Sequence, residues 1–177
     1  MNKYKIVGII LGVVIFSLCI AGITYAYITW TSGDINKVVS SKCFNVLYTK
    51  GTDISGAIMP SYDYTGGLST TIKMNIDSSC NIRANGKLYL ETKNETSNNL
   101  FREGLLNYHL VSGNTVISSG PITEKGEIVI NLGELTPSTS ASTSYTLYVW
   151  IDYNLVENTD AFSTYLGSIK GEAIQFS

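Results

Sequence analysis

From residue 68 onward, apolar and polar side chains alternate along the chain with a period of two. Leu68, Thr70, Ile72, Met74 and Ile76 fall on one side of an extended backbone, and Ser69, Thr71, Lys73, Asn75 and Asp77 on the other. That is the mark of a strand with one buried face. After a turn at residues 78–81 the pattern resumes, with Ile82, Ala84, Gly86, Leu88 and Leu90 set against Arg83, Asn85, Lys87, Tyr89 and Glu91. One core face should therefore run through both strands, with Cys80 at their junction.

Shorter runs follow at Leu106, Tyr108 and Leu110, at residues 115–117, and at Ile128, Ile130 and Leu132. Residues 145–153 (YTLYVWIDY) are the most strand-prone stretch, rich in β-branched and aromatic side chains. Leu147, Val149 and Ile151 share one face there, while Tyr148 and Trp150 take the other, so both sides of this strand should be covered. Residues 43–48 (CFNVLY) supply an earlier strand and residues 161–176 the last one. Between them, residues 53–65, the low-complexity 135–144 (LTPSTSASTS) and 154–160 read as loops and turns. Residues 96–102 read as one short helical turn anchored by Leu100 and Phe101. Short strands at regular spacing predict an all-β fold, an antiparallel β-sandwich.

Ahead of this domain lies a different pattern. Residues 6–23 (IVGIILGVVIFSLCIAGI) carry no charge and offer no polar face to water. They predict one N-terminal hydrophobic helix of about 27 Å, or about 33 Å if it continues through Tyr27, against a hydrocarbon core of about 30 Å. Lys3 and Lys5 precede the run and the next lysine is Lys37, which places the N-terminus in the cytoplasm and the remainder outside. Thr24-Tyr25-Ala26 has the small-residue spacing of a signal-peptidase site. Cleavage after Ala26 and retention as a membrane anchor both stay open. The chain thus divides into a signal peptide or transmembrane anchor (1–26), a stalk or assembly segment (27–41) and an extracellular β-sandwich domain (42–177). The middle segment scatters Ile28, Trp30, Ile35, Val38 and Val39 around the Gly33-Asp34 turn and could form a loose first strand.

Composition narrows the functional classes. Twelve basic residues become ten once Lys3 and Lys5 are set aside, against fourteen acidic ones, and they are scattered singly. Nucleic acid, which needs clustered cations to displace its counterions, is not an expected partner. Cys19 lies in the apolar run, leaving Cys43 and Cys80 as the thiols of the exported part. A Cys43–Cys80 disulfide would close a loop worth about 3.5–4 kcal/mol on the chain-entropy model. Two separate buried thiols are the alternative.

No chemistry-bearing motif stands out. The single histidine, His109, sits in a strand alternation opposite the Leu106, Tyr108 and Leu110 face and reads as an ordinary surface residue. There is no HExxH motif, no Gly-rich phosphate loop after a strand, and no set of four zinc ligands. No catalytic residue, metal or cofactor is expected. Asp53, Asp63, Asp77 and Asp152 lie near strand ends, where calcium or acid–base sites can form but where aspartate more often makes turns. Asn94-Glu95-Thr96 matches the glycosylation acceptor triplet. Twelve tyrosines and two tryptophans are the more suggestive feature, because amphipathic rings stack on sugars or partner surfaces while their polar tips stay wet. Tyr62, Tyr64, Tyr148 and Trp150 are the candidate binding aromatics; the alternative is that tyrosine simply suits a pleated, half-buried surface.

The end of the apolar run, Gly22-Ile23-Thr24-Tyr25-Ala26-Tyr27, resembles the TxAYF cleavage region of the TasA and camelysin-like exported proteins of Firmicutes. The strand at residues 145–152 (YTLYVWID) resembles small envelope proteins of the same bacteria. The sequence departs in having Ile28 where the pattern has phenylalanine, and in its cysteine pair. The resemblance implies a jelly-roll-like sandwich, secretion through a dedicated signal peptidase, and assembly into extracellular matrix fibres at the bacterial surface. Proteolysis, an activity attributed to camelysin, is not carried over, since no matching metal motif is present. The leading expectation is a non-enzymatic surface or matrix protein, held to the membrane by its helix or released, self-associating by strand addition. A module binding surface glycans, or otherwise adhesive, is the second. A pilin-like subunit is a third, though the apolar run lacks the acidic residue type IV pilins place near its start.

Overall fold

The computed structural model describes residues 29–31, 44–160 and 163–176. The apolar run of residues 6–23, Cys43 and most of residues 27–41 lie outside them, and with them the expected N-terminal helix, its fate, and the cysteine pairing. Among the described residues there is no α-helix, and no helix is long and apolar enough to cross a membrane.

The strands are β1 (Thr29–Thr31), β2 (Val46–Thr49), β3 (Ile54–Ala57), β4 (Pro60–Ser61), β5 (Leu68–Asp77), β6 (Arg83–Thr92), β7 (Leu106–Ser112), β8 (Thr115–Pro121), β9 (Gly126–Glu134), β10 (Pro137–Ser138), β11 (Ser144–Asp152) and β12 (Thr164–Phe176). They form two sheets in which every long pairing is antiparallel. In the first, β12 pairs with β6 and β6 with β9, while the other edge of β12 takes β3 along 164–167 and β1 along 172–174. In the second the order is β2, β5, β11, β7, β8, extended by short parallel pairings of β10 with β5 and of β4 with β11.

The alternation at residues 68–90 is realised as expected, but the two strands do not pair. β5 lies in the second sheet and β6 in the first, because the turn after Asp77 carries the chain across. In that turn Cys80 N donates to Asp77 O at 3.0 Å and Ile82 N to Cys80 O at 2.9 Å. Ile72, Met74 and Ile76 from one side and Ala84, Leu88 and Leu90 from the other are all fully buried in a single hydrophobic cluster. Each fully buried Leu or Ile contributes about 1.5–3 kcal/mol, so the shared core is what makes the sheets interdependent.

Two loops turned out more ordered than their composition suggested. Residues 53–65, expected to be loop, contain β3 and β4, whose ladders are supplied by β12 and β11 from roughly a hundred residues away. A local pattern cannot announce an edge strand of that kind. The 135–144 segment is loop apart from β10 and Ser144, where β11 begins, yet it is pinned to β5 by Asn75, which belongs to the polar face of the alternation and is nevertheless wholly buried. The Asn75 amide donates to Thr136 O at 3.0 Å and to Thr143 Oγ1 at 2.7 Å. Its Oδ1 accepts from Ser142 N at 2.7 Å and Thr143 N at 2.8 Å.

Replacing Asn75 by Ala removes all four of these hydrogen bonds together with a wholly buried side chain. Urea denaturation should show Asn75→Ala less stable by about 2–3 kcal/mol, whereas Thr71→Ala, on the exposed part of the same face, should stay within about 0.5 kcal/mol of the wild type.

Candidate functional site

The strand β11 decides where the aromatic side chains go. Tyr145, Leu147, Val149 and Ile151 are buried, so Thr146, Tyr148 and Trp150 must stand on the opposite face of the pleat. On the neighbouring β7, Leu106, Tyr108 and Leu110 are buried and Asn107 and His109 face the same way as Tyr148 and Trp150. The register sets His109 directly across from Tyr148. Trp150, one diagonal away, donates its indole Nε1–H to His109 Nδ1 at 3.2 Å, with ring centroids 5.9 Å apart and planes at 64°.

Onto this pair folds the Tyr64–Gly66 turn. Tyr64 stacks flat on His109, centroids 4.7 Å apart and planes within 9°, and meets Tyr148 edge-on at 5.2 Å. Gly67 permits the approach: a Cβ at that position would lie 2.4 Å from Val149 O and 2.6 Å from Trp150 Cβ. Beside this group, Tyr62 packs against Tyr153 with centroids 4.4 Å apart. The parallel pairing of Pro60 and Ser61 with Ile151 and Asp152 brings these two tyrosines together.

Tyr64 and Tyr153 each open a short 3₁₀ turn, and each turn is capped by the aspartate before it. Asp63 Oδ1 accepts from Thr65 N at 2.8 Å and from the Thr65 hydroxyl; Asp152 Oδ1 accepts from Asn154 N at 2.9 Å and Asn154 Nδ2 at 3.0 Å. The Thr65 hydroxyl and then its backbone N–H hold the Asp63 carboxyl below the usual aspartate range. The second turn is also tied from behind, since Arg102 donates to Leu155 O at 3.0 Å while gripping Glu157 and the buried Asp160.

All four candidate aromatics, Tyr62, Tyr64, Tyr148 and Trp150, thus lie on one outer face. Two residues of the cluster were missed from sequence. The pattern makes His109 an ordinary surface residue, and it is the hub on which Tyr64 and Trp150 converge; Tyr153 is expected to close the strand over 145–153, and it instead opens a turn and meets Tyr62. The register between β7 and β11, some forty positions apart, reveals the first role, and the pairing of β4 with β11, some ninety apart, the second. The aspartates behave as turn formers: Asp63, Asp77 and Asp152 each accept an N–H from two residues on, and Asp53 pairs with Lys50 at 2.9 Å. No group of His, Cys, Asp or Glu that could hold a metal occurs among the described residues. In the acceptor triplet Asn94 is exposed but Thr96 is buried, its hydroxyl donating to Leu166 O and accepting from Leu166 N, both at 3.0 Å. Cys80 is buried at the crossing between the sheets.

Because His109 Nδ1 accepts the Trp150 proton, the neutral imidazole carries its own proton on Nε2. Burial lowers its pKa below the ordinary 6.5, a hydrogen bond to the Tyr108 backbone opposing this only in part. The folded state therefore binds fewer protons here than the unfolded chain, and the stabilisation is complete above the unfolded pKa and declines as pH falls through the folded one. A proton on Nδ1 also removes the Trp150 acceptor. In a Trp30→Phe background, Trp150 fluorescence should titrate with a midpoint below 6.5, the ordinary value, and His109→Gln should flatten the titration. No protein-family model matches this chain and no curated protein matches it, so what the aromatic face does has to be read from its own chemistry.

Proposed function

We propose that this is a non-enzymatic, exported surface or matrix protein of the TasA and camelysin-like kind, built on a jelly-roll-like sandwich and able to self-associate by strand addition. The observation that supports it is the position of β1. Thr29, Trp30 and Thr31 pair with Ile174, Ala173 and Glu172 on the edge of β12 opposite β6, alongside β3 but separated from it by residues 168–171. A three-residue strand contributes few ladder bonds, and the same segment of a second molecule would satisfy the same backbone groups equally well. Exchange of this kind turns an edge strand into a head-to-tail contact, which propagates as a filament when it does not close.

Export fits the same reading. The apolar run at residues 6–23, with its lysines on one side, would deliver the domain across a membrane, and an oxidising exterior permits a Cys43–Cys80 bridge. Such a bridge would fasten the segment leading into β2 to the turn that joins the two sheets. The membrane is then a partner through the N-terminal helix for as long as that helix is retained.

Deleting residues 27–39 should abolish filaments of the exported protein in electron micrographs while leaving its β-type circular dichroism intact; filaments unchanged by the deletion would refute strand addition. A count of thiols in the denatured, unreduced exported domain should give none at Cys43 and Cys80, and two would exclude the bridge.

A further inference from the structure

The aromatic face of the second sheet offers a surface that strand addition does not use. We propose that the two Asp–Tyr turns, Asp63-Tyr64 and Asp152-Tyr153, together with Tyr62, form a binding platform for an uncharged polysaccharide chain.

Exposed apolar surface is concentrated here. Among the described residues, the large hydrophobic side chains most open to solvent include Met59 and Tyr62, both 72% exposed, Tyr153 at 51% and Leu155 at 46%. All four come from two short segments that the β4–β11 pairing and the Tyr62–Tyr153 contact hold side by side. Tyr64 adds a ring with one face occupied by His109, which leaves the other directed away from it.

The rings are also fixed before anything binds. Tyr64 is set by its aspartate cap, by the stack on His109 and, through His109, by the Trp150 indole. Tyr153 is set by the matching aspartate cap and by Arg102 on the Leu155 carbonyl. Two turns of the same design come from different parts of the chain, and Tyr62, just before the first cap, packs on Tyr153 of the second. Ordering in advance lowers the entropy that a ligand must overcome, which matters most for weak stacking contacts.

The chemistry around the rings selects the occupant. Asp63 and Asp152 are the charged side chains of the two caps, and Arg102 is engaged by Asp160, Glu157 and Leu155. A polyanion would meet the two cap carboxylates, and the guanidinium tied to the second turn, Arg102, is already engaged. A second copy of this face, brought up by a two-fold axis, would set the same carboxylates against each other, and an aliphatic protein surface would strip water from them and from the phenols without replacing the hydrogen bonds. A neutral sugar has what is needed. Its C–H faces stack on tyrosine rings, and its hydroxyls donate to carboxylates that still have acceptor capacity beyond their turn bonds.

This platform and the β1 edge lie on different sheets, so the two proposals fail separately. The test is native affinity electrophoresis of the full chain, as recovered from its producing cells, through gels containing hydroxyethyl cellulose, glucomannan or a neutral α-glucan, with alginate as the polyanion. At least one neutral polymer should retard the protein and alginate should not. Tyr62→Ala and Tyr153→Ala should each weaken retardation by roughly two- to tenfold, the scale of losing one ring contact, with filaments unchanged and the thermal midpoint lowered by no more than a few degrees. Val129→Ala, an exposed residue of the other sheet, should have no effect. The proposal is overturned if no neutral polymer retards the protein, if only alginate does, or if both tyrosine variants are retarded like wild type. It is equally overturned if the variants instead lose a concentration-dependent self-association seen by sedimentation, which would make the face a contact between copies.

Discussion

Everything on the outer surface of the second sheet follows from the obligation of β11 to bury one face. Tyr145, Leu147, Val149 and Ile151 are at most 5% exposed, and a pleated strand cannot turn its odd positions inward without turning its even positions out. Tyr148 and Trp150 are therefore delivered together to the far side of the sheet. A one-residue slip would exchange the faces and place a tyrosine and an indole in the core, so the burial of three aliphatic side chains fixes the register and the register fixes the aromatic site.

That outward face would be an aggregation hazard if it were left bare, and the chain covers part of it from within. The Tyr64–Gly66 turn folds down over His109 and Tyr148, converting three separate rings and an imidazole into a packed layer with one shared polar bond. The layer depends on small local devices. Asp63 and Asp152 replace missing backbone partners at the starts of their turns, as side-chain oxygens do at helix N-termini. Gly67 lets the turn approach the β11 backbone to a distance at which any side chain would collide. Each device is worth only about a kilocalorie, and their value lies in being simultaneous.

How much of this could be read from the chain depends on range. The period-two pattern at Leu68–Asp77 and the two-sided character of residues 145–153 are local, and both are realised as read. The helical turn anchored by Leu100 is likewise local and is present as a 3₁₀ turn. The separation of β5 and β6 into different sheets was not legible, since alternation says which side chains share a core without saying whether two strands share a sheet. β3 and β4 were invisible because their partners supply the regularity. Among the site residues, the tyrosines could be picked by type. His109 could not, because what distinguishes it is a stack with a residue forty-five positions earlier and a hydrogen bond to one forty-one positions later.

The two outer faces of the domain have different characters, and this bears on how one small protein could serve two kinds of contact. On the first sheet the outward positions of β6 and its neighbours are chiefly paired charges and polar groups around the exposed Val129: Arg83 with Glu134 at 2.6 Å, Lys93 with Glu91 at 2.7 Å, and Tyr89 with Glu172. Exposed pairs of this sort add little stability but keep a face hydrated and unattractive to apolar partners. The edge of β12 that β1 and β3 occupy belongs to that sheet, so a strand exchanged there would be selected by backbone hydrogen bonds rather than by greasy contact. The second sheet presents rings instead. On the proposed reading, segregating the two would leave strand addition free to proceed without masking the rings, and whatever the rings held would be displayed along the length of the assembly.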